Sequence, residues 1–218
     1  MTVSTMSHRA PPYIVVEGTI GVGKTSLARR LAASFNAALI LEQAAENPFL
    51  ERFYRNPRAA ALPAQLFFLL QRARQLEALQ QQDLFAATHV SDYLFDKDRL
   101  FAQLNLDADE FSLYEKVYQR ISLDVPRPDL VIYLQAPADV LLERIARRGI
   151  RYEQHIEREY LERLNNAYAG FFHDYHASPL LIVNAAQADF VGREGDYQQL
   201  LNELGRIKPG RQYFNPAY

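Results

Sequence analysis

Residues 18–25, GTIGVGKT, combine glycines, one lysine and one threonine in a pattern typical of a loop that holds phosphate groups. The loop follows the apolar run YIVV and precedes the helix-like stretch SLARRLAASF. In that setting backbone N–H groups surround the phosphates, the lysine reaches the outer ones and the hydroxyl reaches magnesium. We expect a nucleotide here, with Lys24 also acting in catalysis. The expected contacts are Gly18, Thr19, Ile20, Gly21, Val22, Gly23, Lys24, Thr25 and Ser26.

A carboxylate should lie near this loop, because magnesium on nucleotide phosphates also takes a protein carboxylate at the end of a neighbouring strand. Asp92 closes the strand-like run ATHVSD and is best placed to complete a magnesium site with Thr25. A turn or helix-cap role for Asp92 is the alternative, and Asp96 and Asp98 are close competitors. Mg²⁺ is therefore an expected cofactor, bound together with the nucleotide.

Residues 143–153, ERIARRGIRYE, place four arginines around one glycine. The loose transition state of phosphoryl transfer spreads negative charge over several oxygens, and guanidinium groups match that charge. The segment follows DLVIYLQ and PADVLLERIA, where a closing lid would lie, and Gly149 would let the chain turn. The pattern predicts an arginine-rich lid. The alternative is the end of an amphipathic helix, where arginines suit the helix dipole.

Short apolar runs alternate with longer helical patterns along the chain. The runs are YIVVE, AALILE, ATHVSD, DLVIYLQ and PLLIVNA. Strands separated by helices of this length predict an α/β protein with a five-stranded parallel sheet flanked by helices. Right-handed crossovers then put the functional loops at the carboxyl ends of the strands. With the phosphate loop and the lid, this arrangement is a P-loop kinase fold.

Two long helices are predicted, over residues 63–84 and over the aromatic-rich residues 156–175. We expect their apolar stripes to pack in the core or in a helix bundle between two subunits. Residues 1–12 form a flexible leader in this prediction, and residues 13–218 form a single domain.

Composition narrows the class of protein. The chain has 218 residues, 49% of them apolar, and a net charge of −2, which is typical of a globular protein without a basic surface for nucleic acid. It has no cysteine, so disulfides, thiolate metal sites and cysteine nucleophiles are excluded. Because neither a signal peptide nor a run of about 18 apolar residues is visible, we expect a cytoplasmic protein without a membrane partner.

A phosphate loop alone does not separate switch GTPases, motor ATPases and small-molecule kinases. Motors need a longer chain, and the sequence has no Asn-Lys-x-Asp stretch of the kind that guanine-reading GTPases carry. A small-molecule kinase is therefore the leading class. Over nearly its whole length the sequence resembles the deoxynucleoside kinase family, through the phosphate loop, the segment LILEQAAENPFL and the arginine lid.

The resemblance implies roles on the acceptor side. Glu42 matches the residue that accepts the proton of the sugar 5′-hydroxyl, a step that a hydroxyl nucleophile requires, and Glu46 is the alternative. Tyr54, Gln65 and Arg72 have spacings like those of the family's sugar-reading tyrosine, base-reading glutamine and base-side arginine. Without the resemblance, Gln65 and Arg72 would count as exposed helix residues.

Two further positions match residues around the acceptor. Phe101 resembles the aromatic residue that stacks on the base, although core packing is the alternative role. Glu153 matches the lid glutamate that binds the sugar 3′-hydroxyl together with Tyr54.

The resemblance also implies contacts with ATP. Asp189 and Phe190 follow the run PLLIVNA and resemble the loop around the adenine. Arg144 would lie beside that adenine in the closed lid, and Arg148 would clamp the phosphates as a catalytic residue.

Two departures from the family pattern stand out. The family commonly has carboxylate-arginine-serine after the third strand, whereas this chain has Asp92, Tyr93 and Leu94, and a phenol of pKa near 10 cannot carry the arginine's charge. In the lid, Ile150 takes the place of an arginine and Arg151 follows it. The runs SDY and FDKDR resemble a bacterial, purine-preferring branch of the family.

Base choice can be argued from donors and acceptors. Arg72 offers only donors, which suits O6 or N7 of guanine, while Asp98 can accept from N1–H or an exocyclic amine. We expect ATP-dependent phosphorylation of the 5′-hydroxyl of a small-molecule deoxynucleoside in nucleotide salvage, deoxyguanosine first and deoxyadenosine second, with deoxycytidine open.

Two other functions remain as alternatives. One is a nucleoside monophosphate kinase resembling thymidylate kinase, and the other is a non-catalytic nucleotide-binding module, which Tyr93 motivates. A homodimer is implied by the family resemblance and the long apolar helices.

Overall fold

The structure, a computed structural model, describes residues 11–82, 88–121 and 125–216. Its strands are β1 (Tyr13–Gly18), β2 (Ala38–Ile40), β3 (His89–Ser91), β4 (Leu130–Gln135), β5 (Leu180–Asn184) and β6 (Arg211–Phe214). They form one six-stranded sheet in the order β2-β3-β1-β4-β5-β6, and every neighbouring pair is parallel. The predicted α/β class and parallel sheet are confirmed.

The sixth strand is a difference from the predicted five. β6 pairs with β5 at the edge of the sheet, and its four residues RQYF are half-buried or exposed. An edge strand has only one hydrogen-bonded neighbour and needs no continuous apolar run. The alternation of polar and aromatic residues therefore left β6 without the signal by which the other strands were predicted.

Helices connect the strands and cover the sheet. They are α1 (Lys24–Phe35), α2 (Leu50–Arg55), α3 (Pro57–Gln82), α4 (Lys97–Asn105), α5 (Ala108–Ile121), α6 (Ala138–Arg148), α7 (Arg158–His173) and α8 (Glu194–Leu204). Short 3-10 helices span Ala44–Glu46 and Arg151–His155. Within the described part of the chain, no helix combines the length and apolar character needed to cross a membrane.

The helix predicted over residues 63–84 begins earlier in the structure. α3 starts at Pro57, a position that suits proline because the first helical residue needs no N–H donor, and Pro63 lies inside the helix. Residues 83 and 84 lie outside the described residues. Residues 1–10 of the predicted leader do too, whereas the carbonyl of Pro12 accepts a hydrogen bond of 2.7 Å from the N–H of His89, beside the β1–β3 pairing.

Both faces of the sheet are buried, which explains why its central strands are continuously apolar. Ile14 and Val16 of β1 join a core with α1, α6 and α8, and Val15 joins another core with α4 and α7. On that second face Tyr168 and Phe172 stack on Tyr133 of β4, with ring centroids 5.9 and 4.2 Å apart. The core role predicted for the aromatic stripe of α7 is therefore confirmed.

The strand order decides which loops meet. β2, β3 and β1 are neighbours and parallel, so the segments after their carboxyl ends lie at one edge of the sheet. The three segments begin with Leu41, Asp92 and the phosphate loop at residues 18–25. Such an edge is where ligands of open α/β sheets bind.

Candidate active site

The phosphate loop turns sharply between β1 and α1. Gly18 and Gly21 have φ angles of 144° and 84°, a region that favours glycine. A Cβ on Gly18 would lie 2.4 Å from the carbonyl oxygen of Leu134, and one on Gly21 would lie 2.9 Å from that of Leu141. Because the loop opens directly into α1, it offers the free N–H groups of a helix N-terminus to an anion.

Lys24 folds back over this loop. Its Nζ donates to the carbonyl oxygens of Gly18 at 2.7 Å and Thr19 at 3.3 Å. Burial lowers the pKa of Lys24 to about 8, the neighbouring ammonium of Lys97 acts in the same direction, and the carboxylate of Glu17 opposes both. The ammonium therefore lies close to its titration range at the place where phosphate charge would arrive.

Asp92 connects the loop to the segment after β2. Its Oδ2 accepts a hydrogen bond of 2.5 Å from the hydroxyl of Thr25, and its Oδ1 accepts one of 2.7 Å from the backbone N–H of Glu42. Burial raises the pKa of Asp92, while the Thr25 hydrogen bond and the charge of Lys97 oppose that shift. One carboxylate thus holds together the two sides of the site.

The residues present fit a magnesium ion. Thr25 supplies a hydroxyl and Asp92 a carboxylate oxygen at the same point of the loop. Among the residues that the structure describes, no group of three or more His, Cys, Asp or Glu side chains could hold a metal. Magnesium does not require such a group, because it takes one or two carboxylates together with substrate phosphates and water.

A cavity of about 470 Å³ lies on one side of the phosphate loop, against α2, α3 and the 3-10 helix after α6. Six of the seven predicted acceptor residues line it: Glu42, Tyr54, Gln65, Arg72, Phe101 and Glu153. Gln65 is only 4% exposed although it stands on a helix, so its amide belongs to the cavity wall. We call this space the acceptor cavity.

A network of charges reaches the acceptor cavity through Glu42, Arg72 and Lys97. Arg72 is paired with the carboxylates of both Glu42 and Asp98. The Nζ of Lys97 lies 3.3 Å from Oε1 of Glu42 and 3.2 Å from Oε1 of Glu17. Buried charges are stable only when they are paired in this way, so the network is fixed as a unit.

Asp98 is placed differently from the other predicted acceptor residues. It is fully buried, pairs with Arg72 and is not among the residues that line the cavity. Burial raises its pKa, and the charge of Arg72 opposes that effect. Arg72 Nε and Asp98 Oδ2 have no hydrogen-bond partner among the described residues. Contact of Asp98 with a base stays a prediction.

The structure also separates Glu42 from its competitor. Glu46 is exposed, accepts a hydrogen bond of 3.1 Å from Gln71 Nε2 and does not line the cavity. Only Glu42 of the two lies beside the phosphate loop and the charge network.

A second cavity, of about 680 Å³, lies on the other side of the loop, which we call the donor cavity. It is lined by residues 21–27 of the loop and α1, by arginines of α6 and by residues 186–192 after β5. Asp189 and Phe190 line this cavity, and their contact with adenine stays a prediction. Both cavities share Gly21, Lys24, Thr25, Ser26 and Arg148.

Arg144 ties the lid helix α6 to both walls of the donor cavity. Its guanidinium donates to the carbonyl oxygens of Val22 at 3.2 Å, Ala185 at 2.8 Å and Ala188 at 3.3 Å. Arg144 thus lies beside the predicted adenine loop and holds it against the phosphate loop.

Arg148 stands between the two cavities and is paired with Glu153. Its Nε and Nη2 donate to Oε2 of Glu153 at 3.1 and 2.5 Å. Next to this pair the rings of Tyr54 and Tyr152 stack with centroids 6.0 Å apart. Burial raises the pKa of Tyr54 well above its ordinary value, so its hydroxyl stays a neutral donor. The ion pair with Glu153 therefore connects Arg148, which lines both cavities, to the predicted sugar-binding residues.

The two departures from the family pattern, at Tyr93 and at Ile150 with Arg151, lie in different surroundings. Tyr93 is buried, and its hydroxyl donates to Gln75 Oε1 at 2.9 Å. Ile150 lines the acceptor cavity, whereas Arg151 is exposed and lines neither cavity.

Sequence reasoning missed Glu17 and Lys97. Glu17 interrupts an otherwise apolar strand, YIVVEG, and a buried carboxylate there demands a charged or hydrogen-bonding partner. That signal was available. Nothing in the sequence indicated that the partner would be Lys97, since the two residues are brought together only by the packing of α4 on the sheet.

Comparison with known proteins places these features in a family. A family model described as deoxynucleoside kinase matches residues 14–207. The deoxyguanosine kinase of Bacillus subtilis (strain 168) is 34% identical over 194 residues, which cover 87% of this chain and 94% of that protein. The deoxyadenosine kinase of Dictyostelium discoideum is 35% identical over 213 residues, which cover 94% of this chain and 84% of that protein.

A solved structure shows the same similarity. The deoxyadenosine kinase from M. mycoides, with products dCMP and a flexible dCDP bound, matches with a TM-score of 0.78 at 25% identity. The match covers 89% of this chain and 100% of that one.

Proposed function

Because this chain belongs to the deoxynucleoside kinase family, we propose that it transfers the γ-phosphoryl group of ATP to the 5′-hydroxyl of a purine deoxynucleoside in nucleotide salvage. The products are the 5′-monophosphate and ADP. The observation that carries the proposal is the position of Glu42, which lines the acceptor cavity and is hydrogen-bonded through Asp92 to the phosphate loop.

The two cavities support a direct transfer. ATP in the donor cavity and a nucleoside in the acceptor cavity would meet at Lys24, Thr25 and Arg148, which line both. The 5′-oxygen forms a bond to the γ-phosphorus while the bond from that phosphorus to the ADP oxygen breaks. Glu42 takes the hydroxyl proton, and ADP leaves with the bonding electron pair.

Cations of the chain hold the charge of the transferred group. Lys24, which donates to the loop carbonyls of Gly18 and Thr19, turns its ammonium to the outer phosphates when ATP is bound. Arg148 divides its guanidinium donors between Glu153 and the phosphates. Magnesium, held through Thr25 and Asp92, supplies positive charge to the phosphate oxygens when it is bound.

The sugar and base contacts follow from the acceptor cavity. Tyr54 and Glu153 line the same wall and bind the 3′-hydroxyl, while Gln65 and Arg72 meet the base edge and Phe101 its face. Neither Arg72 Nε nor Asp98 Oδ2 has a partner within the described residues, which leaves hydrogen-bonding capacity near the base.

The donor contacts follow in the same way. Arg144, Asp189 and Phe190 line the donor cavity, which Glu42 does not line, and they receive the adenine. Arg144 already holds the carbonyls of residues 185 and 188, so the adenine pocket is preformed.

Deoxyguanosine is the proposed first choice of acceptor and deoxyadenosine the second. Arg72 presents only donors, which suits the acceptors O6 and N7 of guanine, and Gln65 can turn its amide for either purine. Relatives named deoxyguanosine kinase and deoxyadenosine kinase support a purine acceptor and do not rank the two bases. The dCMP in the M. mycoides structure makes deoxycytidine the pyrimidine to include in a test.

A homodimer, which the family resemblance and the long apolar helices imply, is part of the same proposal, as is the cytoplasmic location expected from the sequence. Light scattering after gel filtration tests the assembly. A mass twice the 25.1 kDa of the chain supports the dimer, and a mass of one chain contradicts it.

The deciding experiment measures ADP release from MgATP with deoxyguanosine, deoxyadenosine, deoxycytidine and thymidine, and with dGMP and dTMP, at equal low concentration. Highest kcat/KM on a purine deoxynucleoside supports the proposal and ranks the bases. Turnover confined to the monophosphates would overturn it, and a highest kcat/KM on a pyrimidine would overturn the purine preference alone.

A further inference from the structure

Lys97 is an unused cation in the acceptor cavity. It begins α4, lines the cavity and is only 2% exposed, yet none of the assigned roles includes it. Its ammonium lies between two carboxylates, with Nζ 3.2 Å from Glu17 Oε1 and 3.3 Å from Glu42 Oε1. Burying an ammonium group is costly, so a position between a structural and a reactive carboxylate calls for a functional reason.

Glu17 anchors one side of Lys97. This carboxylate has 0% exposure, its Oε2 accepts from the N–H of Gly18 at 2.7 Å and the hydroxyl of Tyr168 at 2.9 Å, and its Oε1 accepts from the N–H of Leu94 at 2.9 Å. Burial disfavours the charged form, but Lys97, Lys24 and these N–H groups keep the pKa of Glu17 below its ordinary value. Glu17 is therefore a fixed anion that holds Lys97 in place.

Glu42 takes the other side of the same ammonium. An ammonium group has three donors, and Glu17 and Glu42 engage two of them. Because Lys97 also lines the acceptor cavity, an oxygen bound there can approach the same ammonium. The two positions that depart from the family pattern supply no positive charge to the acceptor cavity. Tyr93 carries a phenol whose hydroxyl donates to Gln75, and Arg151 lines neither cavity.

We propose that Lys97 is a positioning residue for phosphoryl transfer, which holds Glu42 directed at the acceptor hydroxyl and contributes positive charge as the hydroxyl proton is removed. The inference rests on the proposed function. The bond changes are those of the transfer itself: the hydroxyl proton passes to Glu42, the 5′-oxygen bonds to phosphorus, and ADP leaves with its electron pair. Lys97 keeps its proton throughout.

The timing of the charge explains why this arrangement favours catalysis. Before reaction the ammonium of Lys97 faces two carboxylates, those of Glu17 and Glu42. When Glu42 takes the proton it becomes neutral, so Lys97 loses one of its two counter-charges as the phosphoryl group arrives at the acceptor. An interaction that strengthens only in the transition state raises kcat.

Other charges face this pair and remain in place in the test. They are Lys24 on α1, Arg72 on α3, Asp92 after β3 and Asp98 on α4. The test therefore removes only the ammonium of Lys97 and the carboxylate of Glu17.

The test uses a double variant, because Lys97→Met alone leaves Glu17 buried without its partner and can fail to fold. Glu17→Gln combined with Lys97→Met removes both charges together, and thermal unfolding reports whether the fold is kept. Lys116→Met, at an exposed lysine of α5 outside both cavities, is the matched control.

We expect the double variant to unfold cooperatively, to keep its KM for ATP and to lose about 10²-fold in kcat on the best deoxynucleoside. The loss should appear in kcat and not in KM for ATP, because the ammonium of Lys97 acts only as the hydroxyl proton is removed. A folded double variant with the kcat of the wild type would assign Lys97 a structural role only. An inactive wild type would instead overturn the proposed function, and this inference with it.

Discussion

The backbone N–H of Glu42 donates a hydrogen bond of 2.7 Å to Oδ1 of Asp92, the residue whose other oxygen accepts from the Thr25 hydroxyl. The proposed base is thus held by its main chain to the carboxylate of the proposed magnesium site. Such a link fixes the distance between the proton acceptor and the phosphate loop before either substrate binds, which is how positioned groups gain rate.

Glu42→Gln should retain nucleotide binding and lose about 10²- to 10⁴-fold in kcat, because the amide cannot take the hydroxyl proton. Steady-state kinetics on the best deoxynucleoside and a fluorescent ATP analogue would measure the two effects. Glu46→Gln is the matched control at an exposed carboxylate outside the cavity, and it should behave like the wild type. A Glu42→Gln enzyme with near-normal kcat would rule out the proposed base.

Asp92→Asn should raise the magnesium concentration needed for half-maximal rate, about tenfold or more, since a neutral amide binds the cation more weakly. Its oxygen can still accept from Glu42 N–H, so the fold around the site should persist. Magnesium titrations at saturating ATP would report the change. Asp96→Asn serves as the control, because Asp96 lies outside the donor and acceptor cavities. Equal magnesium dependence in both variants would remove Asp92 from the metal site.

Arg148→Met should lower kcat by about 10²- to 10³-fold, because a guanidinium that faces both cavities stabilises charge on the transferred group. The same change also frees Glu153 from its 2.5 Å partner, so KM for the nucleoside should shift as well. Arg151→Met removes an arginine that lines neither cavity and should leave both constants unchanged. The idea fails if the two variants lose activity equally.

The lowered pKa of Lys24 predicts that the use of ATP declines at alkaline pH. Its pKa in the folded enzyme is lowered to about 8, so the charged form is complete below that pH and lost above it. The kcat/KM for ATP should therefore fall roughly tenfold per unit above pH 8, while kcat falls at higher pH because bound phosphates favour the ammonium. A Lys24→Arg enzyme that still binds ATP should lack this limb, since arginine stays charged. A flat wild-type profile to pH 10 would contradict the assignment.

Gly18→Ala should destabilise the protein far more than Gly210→Ala. Both positions have positive φ, 144° and 93°, so both substitutions strain the backbone by about 1–2 kcal/mol. Only at Gly18 does the new Cβ also meet a backbone carbonyl, Leu134 O at 2.4 Å, whereas nothing lies within 4 Å at Gly210. Chemical denaturation would give the two losses in free energy of unfolding, and equal losses would mean that the loop relaxes at no cost.

Much of the catalytic frame was predictable because it depends on short stretches of chain. The phosphate loop and the apolar strands β1, β4 and β5 each consist of one continuous run of residues, so each can be recognised in the sequence. Asp92 was predicted as the residue closing a strand, and parallel strands bring their carboxyl ends together. Glu42, Gln65 and Arg72 needed the family resemblance, since their own surroundings in the sequence are those of ordinary strand-end and helix residues.

By itself, the sequence determined the class of fold and the phosphate-loop pattern, because these follow from residues that are neighbours along the chain, whereas the class of reaction needed the resemblance over nearly the whole chain. Only the tertiary structure decided that Glu42 rather than Glu46 lines the acceptor cavity, that Asp98 is buried on Arg72, and that Lys97 joins Glu17 to Glu42. These relationships depend on how α3 and α4 pack on the sheet. Buried charges pair across such contacts with whichever partner the packing brings within reach, and residue spacing does not encode that choice.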